Sequence, residues 1–126
     1  MHPLGEIDLI IADPSTRRLW VCEIKDPVAA YSPATLRRHV RKFTSRDGYI
    51  GKLLAKAEQI AQNTDRAASA CGIADRIPWR VIPLMITRRV EPAAYTPRPR
   101  VAFTMPHTLA TVLSSSDDPT PGPAPP

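Results

Sequence analysis

The sequence lacks any long apolar run, since its longest stretches, such as Leu9–Ala12, contain only a few residues. A membrane-spanning helix needs about 20 such residues, so we expect no membrane partner. A secretory signal would begin with a basic segment followed by an apolar one, but Glu6 and Asp8 interrupt the start of the chain. The expected location is therefore cytoplasmic.

Cysteine is also scarce, with Cys22 and Cys71 the only two in the chain. Two isolated thiols have no metal-binding spacing, and in a cytoplasmic protein they are expected to be reduced. The serines at 114–116 have no recognisable His and Asp partners, which removes support for serine hydrolysis.

Acidic residues are nearly missing between Arg37 and Lys56, where seven basic residues occur with Asp47 alone. This segment carries a formal charge of +6, so the remainder of a chain with net charge +5 is close to neutral. Such a charge distribution suits an anionic partner, and we predict that the partner is DNA. For each basic residue of this segment, the alternative to a phosphate contact is a position on an ordinary solvated helix face. The predicted phosphate contacts are Arg37, Arg38, Arg41 and Lys42.

The length of 126 residues and an apolar content of 43% indicate one globular domain. We place this domain at residues 1–113. From Ser114 the chain is rich in serine, aspartate and proline, with five prolines among the last eight residues. This composition predicts a disordered tail at 114–126.

Hydrophobic periodicity predicts a mixed α/β order of two strands, two helices, two strands and a final helix. Pro83 indicates an edge strand or a bulge, and Ser32 with Pro33 indicates a helix start. The predicted strands are 7–12, 19–25, 80–87 and 101–104, and the predicted helices are 33–43, 49–71 and 107–113.

The first two strands predict a hairpin with one charged face. We expect Ala12 to pair with Leu19, which sets Asp8 opposite Glu23. Because side chains alternate along a strand, one face carries Glu6, Asp8, Glu23 and Lys25. The other face carries Ile7, Leu9, Ile11, Trp20, Cys22 and Ile24.

Clustered carboxylates beside an amine suit a Mg²⁺ site, because this ion prefers oxygen ligands, and a nearby lysine can orient or deprotonate a water. The alternative is the solvated face of an ordinary amphipathic hairpin with weak surface ion pairs. Since both carboxylates are expected to be exposed, we predict that Asp8→Asn and Glu23→Gln leave stability unchanged or slightly raised.

The hairpin resembles the PD-(D/E)XK (restriction-endonuclease-like) nuclease superfamily, especially its small Holliday-junction-resolvase-like members. In that family the first acid lies on one core strand and an E-x-K triplet on the next. The resemblance implies a mixed central sheet flanked by helices. It is carried by Gly5-Glu6-Ile7-Asp8-Leu9-Ile10-Ile11 and by Val21-Cys22-Glu23-Ile24-Lys25-Asp26.

The resemblance further implies an endonuclease that hydrolyses DNA phosphodiesters with Mg²⁺ or Mn²⁺. Asp8 and Glu23 would be metal ligands, together with the backbone carbonyl of Ile24, and Lys25 would be the catalytic lysine. In related nucleases the following helix often adds a polar residue to the site. The candidate accessory residues are Glu6, Lys52, Lys56 and Gln59.

One feature departs from the family, whose core begins with a helix before the first catalytic strand. Here only Met1–Leu4 precede Gly5, so we expect an N-terminally truncated core that a partner segment or a second copy completes. The departure leaves two alternatives to an active nuclease. The first is a non-catalytic nucleic-acid-binding remnant of the same fold, and the second is a small α/β protein-interaction domain.

Overall fold

A computed structural model describes residues 6–26, 32–74 and 77–124. The predicted lead-in at 1–5, Pro27 as a strand terminator and the end of the tail at 125–126 lie outside the described residues. The strands are β1 (Leu9–Asp13), β2 (Arg18–Lys25), β3 (Arg80–Thr87) and β4 (Ala102–Thr104). The helices are α1 (Pro33–Thr44), α2 (Tyr49–Ala61), α3 (Thr64–Ala70) and α4 (Pro106–Ser114), with a 3₁₀ helix at Pro92–Tyr95.

The four strands form one mixed sheet in the order β1-β2-β3-β4. β1 and β2 are antiparallel, whereas β2 with β3 and β3 with β4 are parallel. The predicted hairpin register is confirmed, because Ala12 pairs with Leu19 and Leu9 with Cys22. The chain therefore has the mixed α/β class that its sequence predicted.

β1 begins at Leu9 rather than at Ile7, because the chain bends at Asp8. The bend breaks the side-chain alternation at this point. Ile7 was predicted on the Trp20 face of the sheet, but it packs against the cluster that contains Val21. That prediction is wrong, since strand periodicity holds only while the backbone stays extended.

Helices cover both faces of the sheet. On one face, Val21 and Met85 pack against residues of α1 and α2, among them Phe43 and Leu53. On the other face, a cluster around Trp20 and Cys22 is covered by α4 through Leu109, Val112 and Leu113. Because alternation along β2 puts odd-numbered residues on the α2 side, Glu23 and Lys25 project toward α2. Among the described residues, no helix has both the length and the apolar character that crossing a bilayer requires.

The start of α1 is set by a capping box. The Ser32 hydroxyl accepts a hydrogen bond from the Thr35 N–H at 3.2 Å, and the Thr35 hydroxyl accepts one from the Ser32 N–H at 3.0 Å. Pro33 occupies the first helical position, where no N–H is needed. The predicted helix start is confirmed.

The prediction of one helix over 49–71 is wrong, because the helix ends at Ala61 and a second begins at Thr64. Asn63 causes the break, since its side chain accepts a hydrogen bond from the Arg66 N–H at 3.3 Å and caps α3. Gly72 then ends α3 with φ +83°, a conformation that favours glycine.

Pro83 lies in an interior strand, so its predicted edge position is wrong. The Arg80 N–H donates to the Arg17 carbonyl on the β2 side at 2.8 Å. Since N–H directions alternate, residue 83 would direct its N–H toward β4. Pairing with β4 begins only at Leu84, which meets Ala102. The proline therefore stands where the sheet needs no donor.

The residues after α4 contact β2 and β4. Composition favoured disorder from Ser114, whereas the structure gives this segment defined contacts. The Arg18 guanidinium is fully buried and donates to the carbonyls of Leu113, Ser115 and Asp117 at 3.1, 2.7 and 3.2 Å. Further along, Gly122 bridges to β4, where its N–H donates at 2.9 Å and its carbonyl accepts at 2.8 Å.

Candidate active site

Glu23 is the residue around which the charged groups gather. It lies near the carboxyl end of β2 and faces α2, with only 8% of its surface exposed. Its burial corrects the expectation of a surface-exposed carboxylate. A buried carboxylate needs compensating partners, because leaving water costs an ion several kcal/mol.

Lys56 on α2 supplies the first partner. Its Nζ lies 3.1 Å from Glu23 Oε2 and donates a second hydrogen bond to the backbone carbonyl of Glu6 at 2.8 Å. Lys56 is itself 8% exposed. The ammonium therefore ties α2 to β2 and to the chain that enters β1.

Lys25 supplies the second partner from the same face of β2. Its Nζ lies 3.4 Å from Glu23 Oε1 and 4.3 Å from the ring centroid of Tyr49. The lysine side chain is 29% exposed. One ammonium is thus enclosed beside the carboxylate, and the other is held by an aromatic face while still reaching solvent.

Asp8 lies beside the same strand but contacts it differently. Its Oδ2 accepts a hydrogen bond from the Ile24 N–H at 2.8 Å. In an antiparallel pair, the N–H and C=O of one residue point to the same neighbour, so the Ile24 carbonyl also faces the β1 side. The bend at Asp8 therefore brings a carboxylate to the sheet edge beside the Ile24 backbone.

The remaining predicted accessory residues are not brought to Glu23. Glu6 is exposed and contributes its backbone carbonyl to Lys56. Lys52 is exposed and Gln59 is half-buried. Within the described ranges, neither of these two forms a hydrogen bond or an ion pair with Glu23.

The donor set suits Mg²⁺ in chemistry, since two carboxylates and a backbone carbonyl are oxygen ligands. This ion is commonly bound through one or two carboxylates, with waters and substrate phosphates completing the shell. In the part of the chain that the structure describes, no three His, Cys, Asp or Glu side chains lie close enough to hold an ion together. If the ion binds here, the residues that would hold it are Asp8, Glu23 and Ile24, the last through its backbone carbonyl.

Tyr49 was not among the predicted site residues. It begins α2 seven residues before Lys56, which places the two on one side of the helix. That spacing, next to the helix break at Gly48, is the signal in the sequence that could have identified it.

The basic residues of α1 lie on the same side of the sheet. Arg37, Arg38, Arg41 and Lys42 are all exposed. The helix is anchored from its other side, where His39 Nε2 lies 2.5 Å from Glu91 Oε1. Glu91 is 4% exposed, and its other oxygen accepts from the Ala93 N–H at 2.7 Å. The structure thus fixes α1 with its cations facing solvent.

Comparison with protein-family models, with curated proteins and with solved structures finds no match to this chain.

Proposed function

We propose that this domain is a metal-dependent endonuclease of the PD-(D/E)XK type that hydrolyses DNA phosphodiesters. The observation that carries the proposal is the arrangement at the carboxyl end of β2. A buried Glu23 lies between two lysines, and Asp8 and the Ile24 backbone meet at the adjacent sheet edge. An ordinary solvated hairpin needs no buried carboxylate with two ammonium partners.

Each residue has a role in this proposal. Asp8, Glu23 and the Ile24 carbonyl would hold the metal, which when bound would acidify a water and neutralise charge on the phosphodiester. Lys25, partly exposed and held by Tyr49, would orient the attacking water and contact the scissile phosphate. Lys56 holds the Glu23 carboxylate in place. The cations of α1 would bind backbone phosphates beside the site.

Calorimetric titration with Mn²⁺ and a plasmid-nicking assay test the proposal. Asp8→Asn is the best variant, because an asparagine carbonyl can still accept from the Ile24 N–H while the charge is lost. It should abolish both metal binding and cleavage. Lys25→Ala should keep the metal and slow cleavage. Ca²⁺ should bind without supporting turnover, since its looser coordination positions a water poorly.

Asp65→Asn is the matched control, since Asp65 is an exposed carboxylate on α3. It should behave as the wild type in both assays. The proposal fails if the folded wild type binds no Mn²⁺, or if Asp8→Asn and Asp65→Asn bind it equally well.

A second candidate is a non-catalytic DNA-binding domain of the same fold. The observation that favours it is that both oxygens of Glu23 already have lysine partners. In this reading Glu23 serves stability alone. Salt-sensitive DNA binding together with no Mn²⁺ affinity would support this candidate over the nuclease.

A further inference from the structure

A second basic surface lies on the segment that joins the 3₁₀ helix to β4, next to the end of α1. It is an open cleft of about 290 Å³. Two arginines and two threonines contribute to its lining, and none of its lining residues is acidic. The lining residues are Thr44, Ile50, Thr96, Arg98, Pro99 and Arg100.

The two arginines of this cleft have unused binding capacity. Both are exposed, and neither forms an ion pair within residues 6–26, 32–74 and 77–124. Three other arginines of the described chain do pair with aspartates, namely Arg18, Arg80 and Arg88. Free guanidinium groups present several N–H donors in a planar fork, a geometry that matches phosphate oxygens.

The backbone that carries these arginines is restricted. Pro97 and Pro99 each precede one of them, and proline fixes φ and limits the residue before it. The segment is also held at both ends, because Ala94 and Val101 are each 2% exposed. Less conformational entropy is then lost when a ligand is bound.

The cleft lies beside both parts of the proposed nuclease surface. Thr44 ends α1 two residues after Lys42. On the other side, Ile50 follows Tyr49, whose ring contacts Lys25. The cleft therefore adjoins the end of the basic helix and the aromatic neighbour of the proposed catalytic lysine.

We propose that Arg98 and Arg100 form a phosphate-binding cleft for the nucleic-acid backbone, which continues the contacts of α1 beside the site. This inference rests on the proposed function for its ligand class. It does not depend on metal binding or cleavage, because a non-catalytic domain would use the same cleft.

The test is the salt dependence of binding to a fluorescein-labelled DNA duplex, followed by anisotropy. Each phosphate contact contributes about 0.9 to the slope of log affinity against log salt. The double variant Arg98→Ala/Arg100→Ala should therefore bind more weakly, with a slope shallower by up to about 1.8. Arg98→Lys/Arg100→Lys should retain most of the slope, because the charges remain.

The matched control is Arg17→Ala/Arg66→Ala, which removes two exposed arginines from the hairpin loop and from α3. It should leave the slope near that of the wild type. If the cleft variant and this control have equal slopes, the proposal that Arg98 and Arg100 bind phosphates is wrong, while DNA binding through α1 remains possible. If the wild type shows no salt-dependent binding to DNA, both the proposed function and the proposed phosphate-binding role of the cleft are wrong.

Discussion

Lys56 Nζ lies 3.1 Å from Glu23 Oε2, and each of these side chains is about one tenth exposed. The pair joins α2 to β2 and includes Glu23, one of the proposed metal ligands. Its enclosure makes the two charges depend on each other, since a buried charge without its partner is strongly destabilising.

The first prediction concerns this dependence. Lys56→Met and Glu23→Gln should each lower the free energy of unfolding by about 2–4 kcal/mol. The double variant should lose less than the sum of the two, with a coupling energy of about 1–3 kcal/mol. Urea denaturation of the wild type and the three variants measures it. Lys52→Met is the control, because Lys52 is exposed on the same helix, and additive losses would show that the pair is not coupled.

The second prediction concerns α1. Arg37→Glu/Arg41→Glu reverses two exposed charges four residues apart, and it should abolish DNA binding measured by anisotropy at moderate salt. Arg17→Glu/Arg66→Glu produces the same change in net charge elsewhere. Since that control alters only the long-range field, it should weaken binding far less. Equal losses in the two variants would argue for net charge rather than a contact surface.

The third prediction concerns Arg18, which is fully buried and stacks 4.8 Å from the centre of the Trp20 ring. Arg18→Met removes three hydrogen bonds to carbonyls in and just after the last turn of α4, so it should lower the free energy of unfolding by about 3–5 kcal/mol. It should also speed limited proteolysis after Ser114. Arg17→Met, next to it and exposed, should change neither measurement. If residues after Ser114 resist proteolysis equally well in the Arg18 variant and the wild type, Arg18 does not hold this segment in place.

The fourth prediction concerns pH. Burial raises the pKa of the Cys22 thiol from 9.0 to about 12, so only the unfolded chain ionises this thiol between those values. Keeping this thiol neutral therefore contributes fully to the free energy of unfolding below pH 9. That contribution is lost as pH rises toward 12, by at most about 1.4 kcal/mol per pH unit. The stability advantage of wild type over Cys22→Ala should therefore narrow from pH 8 to 10. Cys71→Ala, at an exposed thiol, should run parallel to the wild type.

Local patterns predicted the elements that depend on local physics. Alternation of apolar residues gave the Ala12–Leu19 register, and Ser32 with Pro33 gave the start of α1. Where a single polar contact outweighed periodicity, the prediction was wrong. Asn63 caps α3 within the span predicted as one helix, and the bend at Asp8 takes Ile7 out of the strand pattern.

The candidate site shows the same division. The E-x-K parity predicted that Glu23 and Lys25 share one face of β2, and in the structure both contact residues of α2. The burial of Glu23 depends instead on how α2 packs on the sheet, and no local signal contains that packing. Lys56 was one of three accessory candidates on α2, and only tertiary structure separates it from Lys52 and Gln59.

The bridge between Gly122 and β4 determines which backbone groups this edge of the sheet exposes to other chains. Because Gly122 turns both its N–H and its carbonyl toward β4, its neighbours would direct theirs outward. Those neighbours are Pro121 and Pro123, which have no N–H to give. An exposed strand edge can pair with another chain. Here the residues on either side of Gly122 have no backbone N–H to donate. Pro121 and Pro123 thereby reduce the number of backbone donors that this edge of the sheet presents to other chains.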